Sequence, residues 1–142
     1  MAEIRVPSER YATIRRELLE TESSLDALRR SGARISFLAS DLKKTSRGRT
    51  VMGQCECVPA RYKWCVPYDF TVTVFEPNVQ ALDEAQLRTL LLHELMHAGV
   101  DVLEDGTERY RIVPHDVEDF REVLERFGLD WARSKATNDL II

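Results

Sequence analysis

The segment His93-Glu94-Leu95-Met96-His97 constrains this chain more than any other feature. It lies in an apolar stretch with helical spacing, and residues i and i+4 of a helix project from the same face. Two imidazoles placed in this way can reach one metal ion. The intervening Glu94 can then take a proton from a water molecule that the metal activates. A fold that uses this motif must bury most of the helix and bring a further ligand to it.

The dipeptide Asp105-Gly106 is a strong signal for a β-hairpin in the segment that follows the motif. With a two-residue loop, Glu104 would pair with Thr107, and the two strands would continue from there. The second strand would return the chain to the end of the motif helix. The hairpin therefore predicts that His115 lies beside His97.

A zinc hydrolase needs a third protein ligand and an open position for water. His115 is the favoured third ligand, because it is the only other histidine in the chain and does not lie on an apolar stripe. Glu118, with Glu122 behind it, is the alternative, because some zinc sites of this type take a glutamate from a later helix. Asp116 could instead orient a ligand through a hydrogen bond. We expect one Zn²⁺ per chain, with Glu94 as the catalytic base.

Two further groups of residues could belong to this chemistry. Tyr110 and Arg111 lie near the returning strand and are candidate donors to an oxyanion, although a packing role is the more common one for a residue such as Tyr110. The three cysteines, Cys55, Cys57 and Cys65, do not complete a second, structural zinc site, which needs four ligands.

Composition narrows the class of protein. The 142 residues allow one domain with a hydrophobic core, and no apolar run approaches the roughly 18–20 residues that span a membrane. An odd number of cysteines and an N-terminus without an apolar signal core favour a reducing, cytoplasmic location. The net charge of −4 gives no general attraction to nucleic acid. One local basic cluster is a candidate for polyanion contact or, more simply, a solvated loop: Lys43, Lys44, Arg47, Arg49, Arg61 and Lys63.

Hydrophobic periodicity predicts an α+β domain that spans residues 1–142, with a core from about 33 to 127. The expected helices are Ser8–Ser31, a motif helix that begins near Asp83 and ends at Gly99, and Asp116–Phe127. The expected strands are Ala33–Ala39, Val51–Val58, Asp69–Phe75 and the two of the hairpin. We also expect a strand beside the motif helix, either Val51–Val58 or Asp69–Phe75, to present a free edge to an extended peptide.

Ser8 and Asp116 are the expected N-caps of the first and last helices, Gly32 and Gly128 are expected to end them, and Asp83 with Gln86 resembles a capping box. The tail around Trp131 could form a further short helix. Two apolar stripes are expected to face the core: Tyr11, Ile14, Leu18, Leu25 and Leu28 in the first helix, and Val117, Phe120, Leu124 and Phe127 in the last.

Three segments between about Val51 and Phe127 carry a family resemblance: Tyr62–Phe70, Leu91–His97 and His115–Phe120. This stretch resembles the putative phage metallopeptidases, a zincin-like family of small proteins from phages and prophages. The resemblance implies a minimal zincin fold in which His93, His97 and His115 bind zinc and Glu94 is the base. It does not supply a substrate.

These patterns together predict a zinc-dependent metallopeptidase that acts on a peptide or protein and has no membrane partner. The alternative is a non-catalytic binding or adaptor protein of phage or prophage origin, in which the metal only stabilises the fold. A third hypothesis is a zinc hydrolase that acts on a non-peptide amide. Replacement of Glu94 separates the first two, because a structural site does not need this carboxylate.

Overall fold

A four-stranded sheet forms the centre of the structure, a computed structural model that describes residues 2–116, 118 and 120–129. Its spatial order is β1 (Arg5–Pro7), β2 (Ile35–Ser40), β6 (Phe70–Phe75) and β5 (Gly53–Cys57). Strand β6 is parallel to β2 and antiparallel to β5. The architecture is α+β, as the sequence predicts.

The central strand β6 has the composition of a buried strand, with β-branched and aromatic residues throughout. Phe70, Val72 and Val74 are fully buried and face the helices. The three longer strands of the sheet match the predicted segments within two residues at either end. Strand β1 was not predicted, because three residues that end in proline carry no periodic signal.

The N-terminal helical region differs from the single predicted helix. It contains α1 (Glu9–Thr21), a 3₁₀ turn and α2 (Asp26–Arg30), with an extended residue, Glu22, after α1. The break lets both ends of the apolar stripe reach the core, and all five stripe residues are buried. They are Tyr11, Ile14, Leu18, Leu25 and Leu28.

The capping predictions at the two ends of this region have different outcomes. The Ser8 side chain accepts a hydrogen bond from the backbone N–H of Tyr11, which confirms the predicted N-cap. Gly32 is not left-handed, so the predicted glycine C-cap is wrong. Its N–H instead donates to the carboxylate of Glu108, which is the first residue of the second strand of the hairpin after the motif helix.

After β6, a short helix α3 (Glu76–Val79) leads into the motif helix α4 (Glu84–Met96). Asp83 and Gln86 form the predicted capping box, which fixes the start of α4. The end of α4 differs from the prediction. Gly99 is a strand residue, because the chain enters β7 (Ala98–Val102) directly after His97.

The predicted hairpin is present, and its second strand is β8 (Glu108–Ile112). Its register is one residue away from the prediction, with Val102 opposite Glu108. Leu103 and Thr107 close a three-residue loop in which Gly106 adopts a φ of 85°. A left-handed glycine at this position is typical of three-residue hairpin loops, which explains why the two-residue prediction is wrong.

The predicted basic loop contains a small hairpin of its own, β3 (Thr45–Ser46) and β4 (Arg49–Thr50). The side-chain amide of Asn78 donates to the carbonyl oxygens of Lys44 and Val51 and so closes the base of this hairpin. The end of β4 is therefore held beside the start of β5, next to α4.

The C-terminal helix α5 (Arg121–Phe127) starts later than predicted, and Asp116 does not cap it. Phe120 and Phe127 on its predicted apolar stripe are exposed, so the expectation of a buried stripe is wrong for them. The left-handed Gly128 ends the helix as predicted. Val117, Asp119 and the predicted tail helix near Trp131 lie outside the described residues.

The edge of the central sheet is open next to the motif helix. Strand β6 is internal, whereas β5 is an edge strand. In the part of the chain that the structure describes, no backbone hydrogen bond joins residues 53–57 to a segment other than β6. Of the two strands considered from the sequence, only β5 can pair with an added chain. Within the same described residues, no helix is long and apolar enough to cross a bilayer.

Candidate metal centre

Three imidazoles meet at the junction of α4 and the β7–β8 hairpin. His93, His97 and His115 each offer a ring nitrogen, and these nitrogens all lie within 4.8 Å of one another. The Nε2 atoms of His93 and His115 are 3.0 Å apart, and the His97 and His115 ring centroids are 4.5 Å apart. The helix supplies the first two rings from one face, and the chain that leaves β8 supplies the third.

The backbone of Val113 orients His97. Its N–H donates to the carbonyl oxygen of His97 at 2.7 Å, and its own carbonyl oxygen lies 2.6 Å from His97 Nδ1. Because a carbonyl can only accept, the proton of a neutral His97 ring resides on Nδ1. The Nε2 lone pair is then free for a metal ion. The same two contacts extend the hairpin ladder to the end of α4. They hold Val113 beside His97, and His115 follows Val113 by two residues.

Glu118 lies beside His115 rather than in the imidazole cluster. Its Oε1 is 3.5 Å from Nδ1 of His115, and its side chain is largely exposed. The carboxylate therefore faces the nitrogen of His115 that points away from His93. Asp116, the residue considered from sequence for orienting a ligand, lines a cleft of about 310 Å³ next to the three histidines.

Glu94 is buried, unlike the two histidines that flank it in the motif. Its Oε1 is 4.0 Å from Nε2 of His93. Burial raises the pKa of the Glu94 carboxyl, and His97 only partly offsets this effect. A carboxylate with a raised pKa beside a candidate metal site can accept a proton from water more readily than an exposed one.

Gly53 in the edge strand makes room for Glu94. A Cβ atom at position 53 would lie 3.2 Å from both Cγ and Oε1 of Glu94 and 3.3 Å from Cδ. These contacts are tighter than a relaxed van der Waals separation. Because residue 53 has no side chain, the strand approaches the motif helix this closely without displacing the Glu94 side chain.

The electrostatics of the cluster favour metal binding. Burial lowers the pKa of His93, and the neighbouring His97 and His115 lower it further. A lowered pKa keeps the ring neutral near pH 7, which is the form that binds a metal. Three imidazoles that converge from one side are a donor set that zinc accepts well.

The other candidates from the sequence lie outside this cluster. The Tyr110 hydroxyl donates to Glu108, and its ring packs edge-on against Phe70 at 5.5 Å, so this residue has a packing role. Arg111 pairs with Asp101 across the hairpin. The three cysteines are free, and burial, followed by the nearby Glu94 charge, raises the pKa of Cys55 to about 12.

Two contributors to the site were not identified from the sequence. Val113 acts through its backbone, so its side chain gives no signal. Gly53 lies inside the predicted strand Val51–Val58, and a glycine in a strand interior is itself a signal of close backbone approach. Only the position of α4 relative to β5 shows that the close neighbour is Glu94.

The fold and the cluster define an α+β protein with a three-histidine candidate metal site on a partly buried helix. Comparison with known families supports this class. Residues 5–140 match the family described as putative phage metallopeptidase, and the chain therefore belongs to this family. No curated protein and no solved structure matches the chain.

Proposed function

We propose that this protein is a zinc-dependent metallopeptidase of the zincin type. In this proposal His93, His97 and His115 hold one zinc ion and Glu94 is the general base. The observation that carries the proposal is the buried Glu94 carboxylate beside three converging imidazoles. The family match supports a peptidase and therefore a peptide or protein substrate.

Bound zinc would supply Lewis acidity toward a carbonyl oxygen and would lower the pKa of water. Glu94 would accept the proton of the attacking water and pass it to the leaving amine. The capping box at the start of α4 and the His97–Val113 contacts hold these side chains in place before substrate binds.

The free edge of β5 would position the substrate. An extended peptide that pairs with this strand through backbone hydrogen bonds would pass directly over Gly53 and Glu94. Main-chain pairing fixes the orientation of each carbonyl, so a single peptide bond would be held beside the base. This arrangement also favours a peptide over a small amide, which lacks a backbone to pair.

The decisive experiment is the Glu94→Gln substitution in the zinc-loaded protein. We expect zinc content and melting temperature to stay close to those of the wild type, because this side chain is not a ligand in the proposal. Cleavage of a denatured protein substrate should fall by about 10²–10⁴-fold. Glu104→Gln, an exposed change in the hairpin loop, is the matched control and should retain full activity.

Two results would contradict the proposal. Undiminished cleavage by the Glu94→Gln protein would remove Glu94 from the mechanism. A wild-type protein that binds zinc but cleaves none of a broad peptide library would favour the non-catalytic binding or adaptor function.

A further inference from the structure

A cleft of about 470 Å³ opens beside the candidate metal centre, on the side toward the start of α4. One wall is the end of β4 and the start of β5, with Thr50, Met52 and Gly53. The other wall is α4 and the residue before its cap, and includes Leu82 and Leu90. This size is typical of clefts that bind small molecules or side chains.

The cleft is continuous with the candidate catalytic group. His93 and Glu94 form its inner end. Because Gly53 has no side chain, nothing from the edge strand separates the cleft from the Glu94 carboxylate. A group bound in the cleft would therefore lie next to the atoms on which Glu94 acts.

The chemistry of the lining is apolar. Met52, Leu82 and Leu90 provide its side walls, and Thr50, Gln86 and Thr89 provide uncharged polar groups. Apart from His93 and Glu94 at the inner end, none of its lining residues is ionisable. An acidic side chain that entered would lose hydration without gaining an ion pair, which is costly, whereas an apolar side chain would be stabilised by burial.

A neighbouring groove has the opposite character. It lies between the β3–β4 hairpin and α5, measures about 900 Å³ and shares Thr50 and Met52 with the apolar cleft. Its lining includes two basic and two acidic side chains, from Arg49, Arg121, Glu122 and Glu125. Charged parts of a long substrate can be accommodated there, so the absence of charge in the apolar cleft distinguishes it from its surroundings.

We infer that the apolar cleft binds a large apolar side chain of a peptide substrate, next to the bond to be cleaved. This inference rests on the proposed function and adds a substrate preference to it. Met52 is the residue through which the preference can be tested, because its exposed apolar side chain lines the cleft. Its backbone carbonyl accepts a hydrogen bond from the N–H of Phe75. A substitution of its side chain therefore leaves this backbone contact in place.

The first test measures cleavage by the zinc-loaded wild type with peptides that differ at one position only. We expect leucine or phenylalanine beside the cleaved bond to be preferred over aspartate in kcat/KM by at least about tenfold. Met52→Lys should shift the preference toward aspartate, and Met52→Asp should shift it toward lysine. Val102→Lys is the matched control, since Val102 is also exposed and apolar but lies at the end of β7 next to the hairpin loop and does not line the apolar cleft.

The second test measures binding without cleavage. In zinc-loaded Glu94→Gln protein labelled with ¹³C at methionine methyl groups, a leucine-containing peptide should shift the Met52 resonance. The aspartate-containing peptide should leave this resonance in place at the same concentration. The two other methionines of the chain, Met1 and Met96, provide internal reference signals.

The outcomes separate this inference from the proposed function. Cleavage without an apolar preference, unchanged by either Met52 substitution, would overturn the inference and leave the peptidase assignment intact. Selective shifts of the Met52 resonance, together with a zinc-loaded wild type that cleaves none of the peptides, would support the apolar subsite and overturn the peptidase assignment. Equal Met52 shifts with both peptides would overturn the inference.

Discussion

His115 and Glu118 lie side by side, and substitution of each residue separates their roles. His115→Ala removes a proposed ligand, so zinc affinity should fall more than about tenfold, because changes that only reorient a ligand already cost about 10–100-fold. Glu118→Ala should have a much smaller effect, since the exposed carboxylate faces the outer nitrogen of the His115 ring. Competition with a zinc chelator of known affinity measures both values. The reverse order of effects would make Glu118 the third ligand.

A substitution of Gly53 tests whether the edge strand positions Glu94, the proposed base. Gly53→Ala would place a Cβ atom against the Glu94 carboxylate. We expect zinc to remain bound, while kcat falls about tenfold or more and KM changes less, since small displacements of a catalytic group are costly. Gln54→Ala is the matched control, because this neighbouring side chain points to the other face of the strand and binds Lys44. Equal losses of kcat in the two variants would argue against a positioning role for Gly53.

At the scale of elements, the packing of β8 against β7 connects fold stability to the candidate metal centre. A Cβ atom at Gly99 would lie 2.8 Å from Val113 Cγ2 and 3.0 Å from Arg111 Cγ. Gly99→Ala should therefore lower the free energy of unfolding by about 1–3 kcal/mol, a typical cost of overpacking. It should also weaken zinc binding, because the strand that leads to His115 must shift.

Gly106→Ala is the control for this prediction. Gly106 is left-handed, so alanine there should also destabilise the protein, by about 1–2 kcal/mol. Its turn lies at the far end of the hairpin, and zinc affinity should stay at the wild-type level. Denaturant unfolding and zinc titration of the two variants give the comparison. Unchanged zinc affinity in Gly99→Ala would show that the junction tolerates displacement.

For the whole molecule, zinc should contribute to stability because the ligands come together only in the folded state. We expect one equivalent of zinc per chain by elemental analysis after dialysis, since the described residues contain one cluster of candidate ligands. Free zinc at about 1,000 times its Kd should add about 4 kcal/mol to the free energy of unfolding. Unfolding that does not respond to zinc, or two equivalents that survive dialysis, would contradict the single-site proposal.

The sequence predicted the parts of this molecule that depend on local patterns. The capping box of α4, the buried face of the N-terminal region and the central strand β6 follow from capping chemistry and periodicity. The proximity of His115 to His97 followed from a hairpin signal, even though the register was wrong by one residue. Although the register of the hairpin differs by one residue, its second strand still returns the chain to the end of α4.

The features that were not predicted depend on contacts between distant segments. The helix break after Thr21 and the role of Gly99 are set by the surfaces against which these segments pack. The sequence does not show whether β5 or β6 is the edge strand, because this depends on the order of strands in the sheet. In that order β6 lies between β2 and β5, so β5 is the edge strand. The space at Gly53 likewise depends on how closely a strand and a helix approach.

The ladder that joins β7 to β8 has a consequence for how the length of this chain can vary. The ladder is anchored next to α4 by the two contacts between His97 and Val113, while the loop at Gly106, at the other end, is exposed. Residues inserted in pairs, one on each side of the loop, would extend the hairpin outward into solvent. The three imidazoles would keep their positions, so the tip of this hairpin is where the protein can accept an insertion, a tag or a fused domain.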